Sequence, residues 1–232
     1  MIARPIAHES VAAPAGDTGE PLPRRIGKYP VKAKIGEGAT SEVFLAHDPF
    51  RGHDVAIKRV RRSALIDARE AHFQKRFFAA EAALVGQLHH PNVVQILDAV
   101  SEGEELPYLV MEHVPGGTLR RYCRADALLP LAQVIEIGFK CAMALDYCWR
   151  QGLIHRDVKP ANVLAVLQGD QIVDLKISDF GSVFNSGADI TQVHRVGSLA
   201  YMSPEQLDGD TVDCRADINS LCAVLYHLIA GR

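Results

Sequence analysis

The sequence has few of the features that mark secreted, metal-binding or membrane proteins. Its 232 residues include only five cysteines, an odd number, and no two of them stand at the Cys-x-x-Cys spacing of a zinc or redox site. Cys141 and Cys148 are seven residues apart in a helical pattern, which predicts that they share one helix face. We therefore expect buried, reduced thiols in a cytoplasmic protein.

Long apolar runs and an excess of one charge are also missing. The longest apolar run, residues 221–230, is interrupted by His227 and is too short to cross a bilayer. The net charge of −3 gives no reason to expect binding to nucleic acid or to an anionic membrane surface. Residues 1–26 are rich in Ala, Pro, Gly and Glu without an apolar segment, which predicts a disordered leader and not a secretory signal.

The N-terminal half of the chain has the alternating pattern of a small antiparallel sheet with one helix. Apolar residues spaced by three or four predict the helix over residues 73–88. Short segments rich in β-branched residues predict the strands, at residues 29–35, 42–47, 54–59, 93–100 and 108–112. We expect this part to form a small lobe over residues 27–112.

The pattern changes after Gly116 and Gly117 and becomes mainly helical. Two helices are predicted, over residues 131–150 and 217–230, with a pair of short strands at 162–167 and 172–177 between them. The expected architecture is α+β with two lobes: the small lobe, a hinge at residues 112–117, and a large lobe at 118–232. A cleft between two lobes is a preferred place for a ligand.

Two features of the small lobe suit phosphate binding. Gly36 and Gly38 stand in a tight turn between strands, where the backbone can approach phosphate oxygens, although such a turn is more often a simple hairpin. Lys58 lies inside an apolar strand, where its charge requires a partner. It either points to solvent at a sheet edge or pairs with Glu81 on the predicted helix.

The segment with the most candidate catalytic side chains is His-Arg-Asp-Val-Lys-Pro-Ala-Asn, at residues 155–162. Asp157 could accept a proton from an alcohol, and Lys159 could neutralise a transferring phosphate. Asn162 offers an oxygen ligand for Mg²⁺, and seventeen residues later Asp179 offers a carboxylate for the same ion. A single residue of this kind is usually a loop cap, whereas the whole set in this order indicates phosphoryl transfer.

Together these motifs resemble those of the eukaryotic-type (Hanks-type) Ser/Thr protein kinases, including their bacterial members, over about residues 29–232. The resemblance implies a bilobal kinase-like fold that binds ATP with Mg²⁺, for which Mn²⁺ could substitute. It implies catalytic roles for Asp157, Lys159 and Asn162, and a metal held by Asn162 and Asp179. It also implies contacts to the nucleotide from Ile35, Gly36, Glu37, Gly38, Ala39, Thr40, Ser41, Val43, Ala56, Lys58, Glu81, and the backbone of Glu112 and Val114.

The resemblance further implies a protein substrate. Lys159 follows the Ser/Thr-specific pattern, and the segment Gly-Ser-Leu-Ala-Tyr-Met-Ser-Pro-Glu at residues 197–205 resembles the loop that seats an acceptor peptide. Both features disfavour a small-molecule kinase. Arg156 implies control by phosphorylation, and Thr191 is the preferred site of autophosphorylation, ahead of Ser186 and Ser198. Met111 would gate the space behind the adenine.

Three departures from the family pattern stand out. Ser41 replaces the third glycine of the loop, and Ser203 stands where Ala is frequent. The family's large lobe continues for several helices beyond the last one here, which predicts a truncated lobe. On that basis we expect an exposed apolar face at the C-terminus, made of Leu221, Val224, Leu225 and Leu228. The alternative function is therefore a catalytically weak, truncated nucleotide-binding or scaffold module.

Overall fold

The small lobe is a six-stranded antiparallel sheet. The computed structural model of the chain describes residues 21–38, 40–65, 82–83, 86–100, 106–168, 171–180, 184–185 and 199–232. The strands follow the spatial order β1-β2-β3-β4-β6-β5, and each neighbouring pair is antiparallel. Their bounds are β1 Arg25–Ile26, β2 Tyr29–Glu37, β3 Ser41–Asp48, β4 His53–Val60, β5 Ile96–Val100 and β6 Tyr108–Glu112.

Alternation along β3 and β4 gives this sheet a core on one face. Phe44 lies opposite Ile57, and Ala46 lies opposite Val55, and all four side chains are buried. Directly opposed residues of an antiparallel pair project to the same face, so the residues between them project to the other. That second face carries Lys58, and it is the face from which the candidate site is built.

In the large lobe two long helices pack against each other, and the first of them also packs against a short hairpin. Its elements are α1 Leu131–Arg150, β7 Leu153–Ile154, β8 Val163–Gln168, β9 Gln171–Ile177, β10 Phe184–Asn185, α2 Pro204–Asp208 and α3 Cys214–Ala230. A stripe of α1 residues spaced by three or four is buried, including Cys141 and Cys148. Burial raises the pKa of both thiols to about 12, which keeps them protonated. The predicted α+β, two-lobed architecture is confirmed.

Some predicted elements fall outside the described residues. The helix expected over residues 73–88 lies mostly there. Residues 82 and 83 are helical, but residues 86–88 are not, so the predicted end at residue 88 is wrong. The first twenty residues of the expected leader also lie outside the described residues. Its predicted end at residue 26 is wrong, because Arg25–Ile26 form β1 and Ile26 is buried. The other long predicted helices and the strands are present, with shifts of a few residues at their ends.

The expectation of an exposed apolar face at Leu221, Val224, Leu225 and Leu228 is wrong. Leu221, Val224 and Leu228 are buried in the large-lobe core, and Leu225 is half-buried against it. Gly138 of α1 explains the close packing of the two helices, because a Cβ at that position would stand 3.0 Å from Leu225 Cδ1. The helix α3 therefore buries this face inward, and its exposed apolar residues are Ile218, Tyr226 and Ile229.

No helix in the described ranges is long and apolar enough to span a bilayer. The longest of them, α1, has charged residues along its length, among them Glu136, Lys140 and Asp146.

The packing of α3 can be tested at two adjacent apolar residues, one buried and one exposed. Leu228→Ala should lower the free energy of unfolding by about 2–5 kcal/mol, because it leaves a cavity in the core. Ile229→Ala, its exposed neighbour, should change it by less than about 0.5 kcal/mol. Urea unfolding followed by circular dichroism measures both, and similar losses for the two variants would contradict the described packing.

Candidate active site

The loop at residues 155–162 is held by one buried carboxylate. Asp217, in the first turn of α3, accepts hydrogen bonds from the backbone N–H groups of His155 and Arg156, both at 2.8 Å. Burial raises the pKa of Asp217, although these donors oppose the effect. Arg156 has a φ of 63°, a conformation that costs a non-glycine residue on the order of 1–3 kcal/mol. The two bonds to Asp217 fix the backbone at this strained position.

His155 joins the loop to the segment that carries Asp179. Its ring is fully buried, and its Nδ1 accepts a hydrogen bond from the backbone N–H of Asp157 at 3.2 Å. The other nitrogen, Nε2, therefore carries the proton and donates to the carbonyl of Ser178 at 3.1 Å. The ring also packs against Phe180, with the ring centroids 4.6 Å apart. His155 therefore connects the loop at residues 155–162 to the segment of Ser178 and Phe180 through its ring.

Asp157, Lys159 and Asn162 form one hydrogen-bonded cluster. Lys159 Nζ lies 2.6 Å from Asp157 Oδ2, and Asn162 Nδ2 donates to the same oxygen at 3.0 Å. Asn162 Nδ2 also donates to the backbone carbonyl of Asp157 at 2.8 Å. The Asp157 side chain is only 10% exposed, so these bonds restrict it to one orientation. The sequence-predicted catalytic residues therefore stand side by side.

Lys58 reaches across the cleft to the large lobe. Its Nζ lies 2.6 Å from Asp179 Oδ1, and its side chain is 12% exposed. The reading of Lys58 as a solvent-facing edge residue is therefore wrong. The positive charge of Lys58 holds the pKa of Asp179 below its usual value, so this carboxylate stays ionised. Glu81, the predicted partner of Lys58, lies outside the described residues.

Asp179 has a φ of 63°, the second non-glycine residue of the described chain with a left-handed backbone. Both such residues, Arg156 and Asp179, belong to segments predicted to carry chemistry. Strain of this kind persists only where the surroundings enforce it, and it is frequent at functional sites.

The glycine turn lies over the same side of the sheet as Lys58. Gly38 donates its N–H to the carbonyl of Ser41 at 2.8 Å, which closes the turn. Gly36 lies opposite Val43 in the ladder, and a Cβ on Gly36 would stand 3.3 Å from Val43 Cβ. Val43 in turn lies opposite Lys58. Ile35, at the edge of the turn, is 48% exposed, while Ala39 lies outside the described residues.

The hinge forms backbone hydrogen bonds with both lobes. Glu112 donates its N–H to the carbonyl of Gln95 at 3.0 Å, and the carbonyl of Gly117 accepts from the N–H of Ala165 at 2.8 Å. Gly116 approaches the strand β8 so closely that a Cβ would meet Ala165 O at 2.0 Å, which requires glycine. Val114 is buried, and Met111 lies opposite Ala56 in the sheet. Ala56, Met111 and Glu112 therefore lie close together on β4 and β6, with Val114 two residues further along the chain.

The donor atoms present suit a magnesium ion held partly by phosphate. Asn162 uses Nδ2 to bind Asp157, so its oxygen Oδ1 is the atom left for a cation, and Asp179 supplies an ionised carboxylate. In the described ranges, no cluster of three or more His, Cys, Asp or Glu side chains could hold a metal by itself. Mg²⁺ is usually bound by one or two protein ligands together with substrate phosphates, so the two donors fit it.

The segment before α2 is tied to the catalytic loop. Ser203 caps α2 in a capping box with Gln206, whose backbone N–H donates to Ser203 Oγ at 3.4 Å. The side chain of Gln206 also donates to the backbone carbonyl of Arg156 at 2.8 Å. Ser186, Thr191 and Ser198, the candidate phosphorylation positions, lie outside the described residues.

Sequence reasoning missed three residues whose side chains bond to parts of this site: Asp217, Gln206 and Lys176. For Asp217, the available signal was an acidic residue at the start of a strongly apolar helix. For Gln206, it was the Ser-x-x-Gln spacing of a capping box. Lys176 pairs with Glu112 at 2.9 Å across a long separation in sequence, for which a single sequence gives no signal.

The role of Asp217 can be tested by an isosteric change. Asp217→Asn replaces one acceptor oxygen with an NH₂ group that faces a backbone N–H, so it should lower the free energy of unfolding by about 1–3 kcal/mol. It should also speed amide hydrogen exchange at residues 155 and 156. Asp126→Asn is the matched control, because Asp126 is an exposed partner of Arg124. Equal exchange rates in both variants would exclude Asp217 as the anchor.

Comparison with known proteins gives a consistent match. The model described as "Protein kinase domain" matches residues 29–232. A Streptomyces coelicolor protein named probable serine/threonine-protein kinase SCO3848 is 37% identical over 218 residues, covering 90% of this chain and 31% of the relative. Serine/threonine-protein kinase PknB of Mycobacterium leprae is 38% identical over 216 residues, covering 90% of this chain and 33% of the relative. The chain spans about a third of the length of these relatives.

Proposed function

Because this chain belongs to the protein kinase family, we propose that it transfers the γ-phosphoryl group of ATP to Ser or Thr hydroxyls of protein substrates. The observation that carries the proposal is the cluster of Asp157, Lys159 and Asn162, held in one arrangement beside the Lys58–Asp179 pair. The match to proteins named serine/threonine-protein kinases supports the same activity.

In this proposal the small lobe binds ATP. The glycine turn offers backbone N–H groups to the phosphates, and the Lys58 ammonium neutralises the α and β phosphates. The register of the sheet supports this role, because Lys58 and Val43 project to the same face as the turn. The base binds at the hinge, to the backbone of Glu112 and Val114, with Met111 beside it.

Asn162 and Asp179 would hold Mg²⁺, which would neutralise negative charge on the phosphates of the nucleotide. The ionised state of Asp179 supports this assignment, since Lys58 keeps its pKa low. Mn²⁺ accepts the same oxygen donors.

The large lobe supplies the groups that act on the acceptor. The substrate hydroxyl oxygen attacks the γ phosphorus, the bond from that phosphorus to the β–γ bridging oxygen breaks, and ADP leaves with the electron pair. Asp157 accepts the hydroxyl proton, and Lys159, 2.6 Å from Asp157, offsets negative charge on the transferring group. Catalysis consists mainly of positioning and electrostatic stabilisation.

The substrate class follows from the same residues. Lys159 and the segment at 197–205 favour a protein acceptor, and Thr191 or a nearby residue is the proposed site of autophosphorylation. Free cysteines in the described ranges, three of them buried, agree with a reducing, cytoplasmic environment.

Asp157→Asn should lower phosphoryl transfer by about 10²–10⁴-fold, because the amide cannot accept the hydroxyl proton. The full chain is incubated with ATP, Mg²⁺ and a generic basic protein, and phosphosites are mapped by mass spectrometry. ATP binding should persist in the variant. Asp126→Asn, exposed and remote from the loop, serves as the control.

Transfer that survives Asp157→Asn would refute the assignment of the catalytic loop. A folded chain that binds ATP without transferring phosphate would favour the alternative, a nucleotide-binding or scaffold module.

Lys58→Met should weaken ATP binding on the order of tenfold or more, because the phosphates lose a charged donor. Its affinity for adenosine, which has no phosphate, should change by less than about twofold. Isothermal titration calorimetry measures both ligands. An equal loss for adenosine would indicate that Lys58 supports the fold of the cleft and does not contact phosphate.

A further inference from the structure

Glu112, the last residue of β6 and the first of the hinge, forms hydrogen bonds with Gln95 and an ion pair with Lys176. Its N–H donates to the carbonyl of Gln95 at 3.0 Å, and its Oε1 accepts from the N–H of Gln95 at 2.9 Å. The same oxygen lies 2.9 Å from Lys176 Nζ. Glu112 is therefore joined to the small lobe through Gln95 and to the large lobe through Lys176.

Lys176 lies on β9, three residues before Asp179. Its neighbours Leu175 and Ile177 are buried in the large-lobe core, so the strand alternation directs Lys176 to the opposite face. The chain at 92–95 runs beside this strand. Ile177 donates its N–H to Asn92 O at 2.8 Å, and Val94 donates to Ile177 O at 2.9 Å.

This arrangement connects the hinge with the strand that carries Asp179. Residues 92–95 form the backbone part of the connection, and the Glu112–Lys176 pair forms the side-chain part. The side chains of Lys176 and Glu112 are 19% and 30% exposed, so solvent screens the pair less than a surface pair. The charge of Lys176 also contributes to a lowered pKa of the neighbouring His90, after the larger effect of burial.

We propose that Lys176 is a positioning residue for nucleotide binding: through Glu112 it fixes the base-binding backbone of the hinge relative to the strand that carries Asp179. The inference rests on the proposed ATP-binding function and deepens it. Lys176 itself touches neither the nucleotide nor the acceptor in this account. It acts by holding the Glu112 carboxylate, and with it the adjoining backbone, in one orientation.

The position of the pair decides which part of the nucleotide it affects. Glu112 lies at the base end of the cleft, whereas Asp179 acts at the phosphates and Asp157 acts on the acceptor hydroxyl. Loss of Lys176 leaves the Glu112 carboxylate with Gln95 as its donor and loosens the base-binding backbone. ATP and adenosine should therefore lose affinity by the same factor. Transfer at saturating ATP should be preserved, because binding lost equally from ground and transition states raises KM without changing kcat.

The experiment uses the full chain with three lysine variants. Lys176→Met removes the charge, Lys176→Arg keeps it, and Lys140→Met is the matched control. Lys140 is another half-buried lysine that contacts β9, at 3.1 Å from Asp174, but it lies away from the hinge. Titration calorimetry gives the Kd of ATP with Mg²⁺ and of adenosine, and steady-state kinetics give kcat and the KM for ATP.

We expect Lys176→Met to raise the Kd of both ligands on the order of tenfold, with kcat within about twofold of the unchanged chain. Lys176→Arg should restore most of the affinity, and Lys140→Met should keep it. In a double-mutant cycle, the variant with both Glu112→Gln and Lys176→Met should lose little more affinity for the two ligands than either single variant.

Three results would overturn the proposal. One is an unchanged Kd of both ligands in Lys176→Met. Another is a loss of affinity in Lys140→Met as large as that in Lys176→Met, which would indicate general loosening of the hairpin. The third is a loss confined to ATP with adenosine unaffected, which would place the effect at the phosphates. If the unchanged chain bound no ATP at all, the proposed function itself would fail. That outcome is distinguishable from the three results above, each of which requires an unchanged chain that binds ATP.

Discussion

The geometry of the candidate site depends on the buried carboxylate of Asp217. It accepts two backbone N–H groups from the loop at residues 155–162, at the point where Arg156 adopts a strained conformation. Without these bonds, the strain and the unpaired backbone donors would favour another loop conformation. The helix α3 carries Asp217 and is itself packed into the core through Val224 and Leu228. The hydrophobic core of the large lobe therefore orients the polar site.

The site also requires that the two lobes meet. Lys58 and Asp179 are separated by 121 positions in sequence and come from opposite lobes, yet their charged atoms lie 2.6 Å apart. Residues 92–95 bind to β9, and Glu112 pairs with Lys176, so the lobes are joined near the hinge as well. A change of angle between the lobes would alter the Lys58–Asp179 distance and the hinge together. Such a coupling is what the proposed function requires, because one cleft would contact both ends of the nucleotide.

The sequence predicted the local features well, because they depend on neighbouring residues. The alternation of β3 and β4, the helix α1 and the loop with Asp157 and Asn162 all lie where the pattern placed them. Contacts between residues distant in sequence could not be predicted, because no local pattern identifies Asp217 as the partner of His155 or Lys176 as the partner of Glu112. The prediction of an exposed apolar face on α3 is wrong because the family resemblance implies that further helices cover this face, whereas α1 packs against it here.

The most direct measurement is a crystal structure of the chain with Mg²⁺ and a non-hydrolysable ATP analogue. The account predicts that Asn162 Oδ1 and the Asp179 carboxylate bind the metal, and that Lys58 contacts the phosphates. It also predicts that the bonds from His155 and Arg156 to Asp217 are kept. A metal bound without Asn162 and Asp179, or a nucleotide outside the cleft between the glycine turn and the hinge, would contradict it.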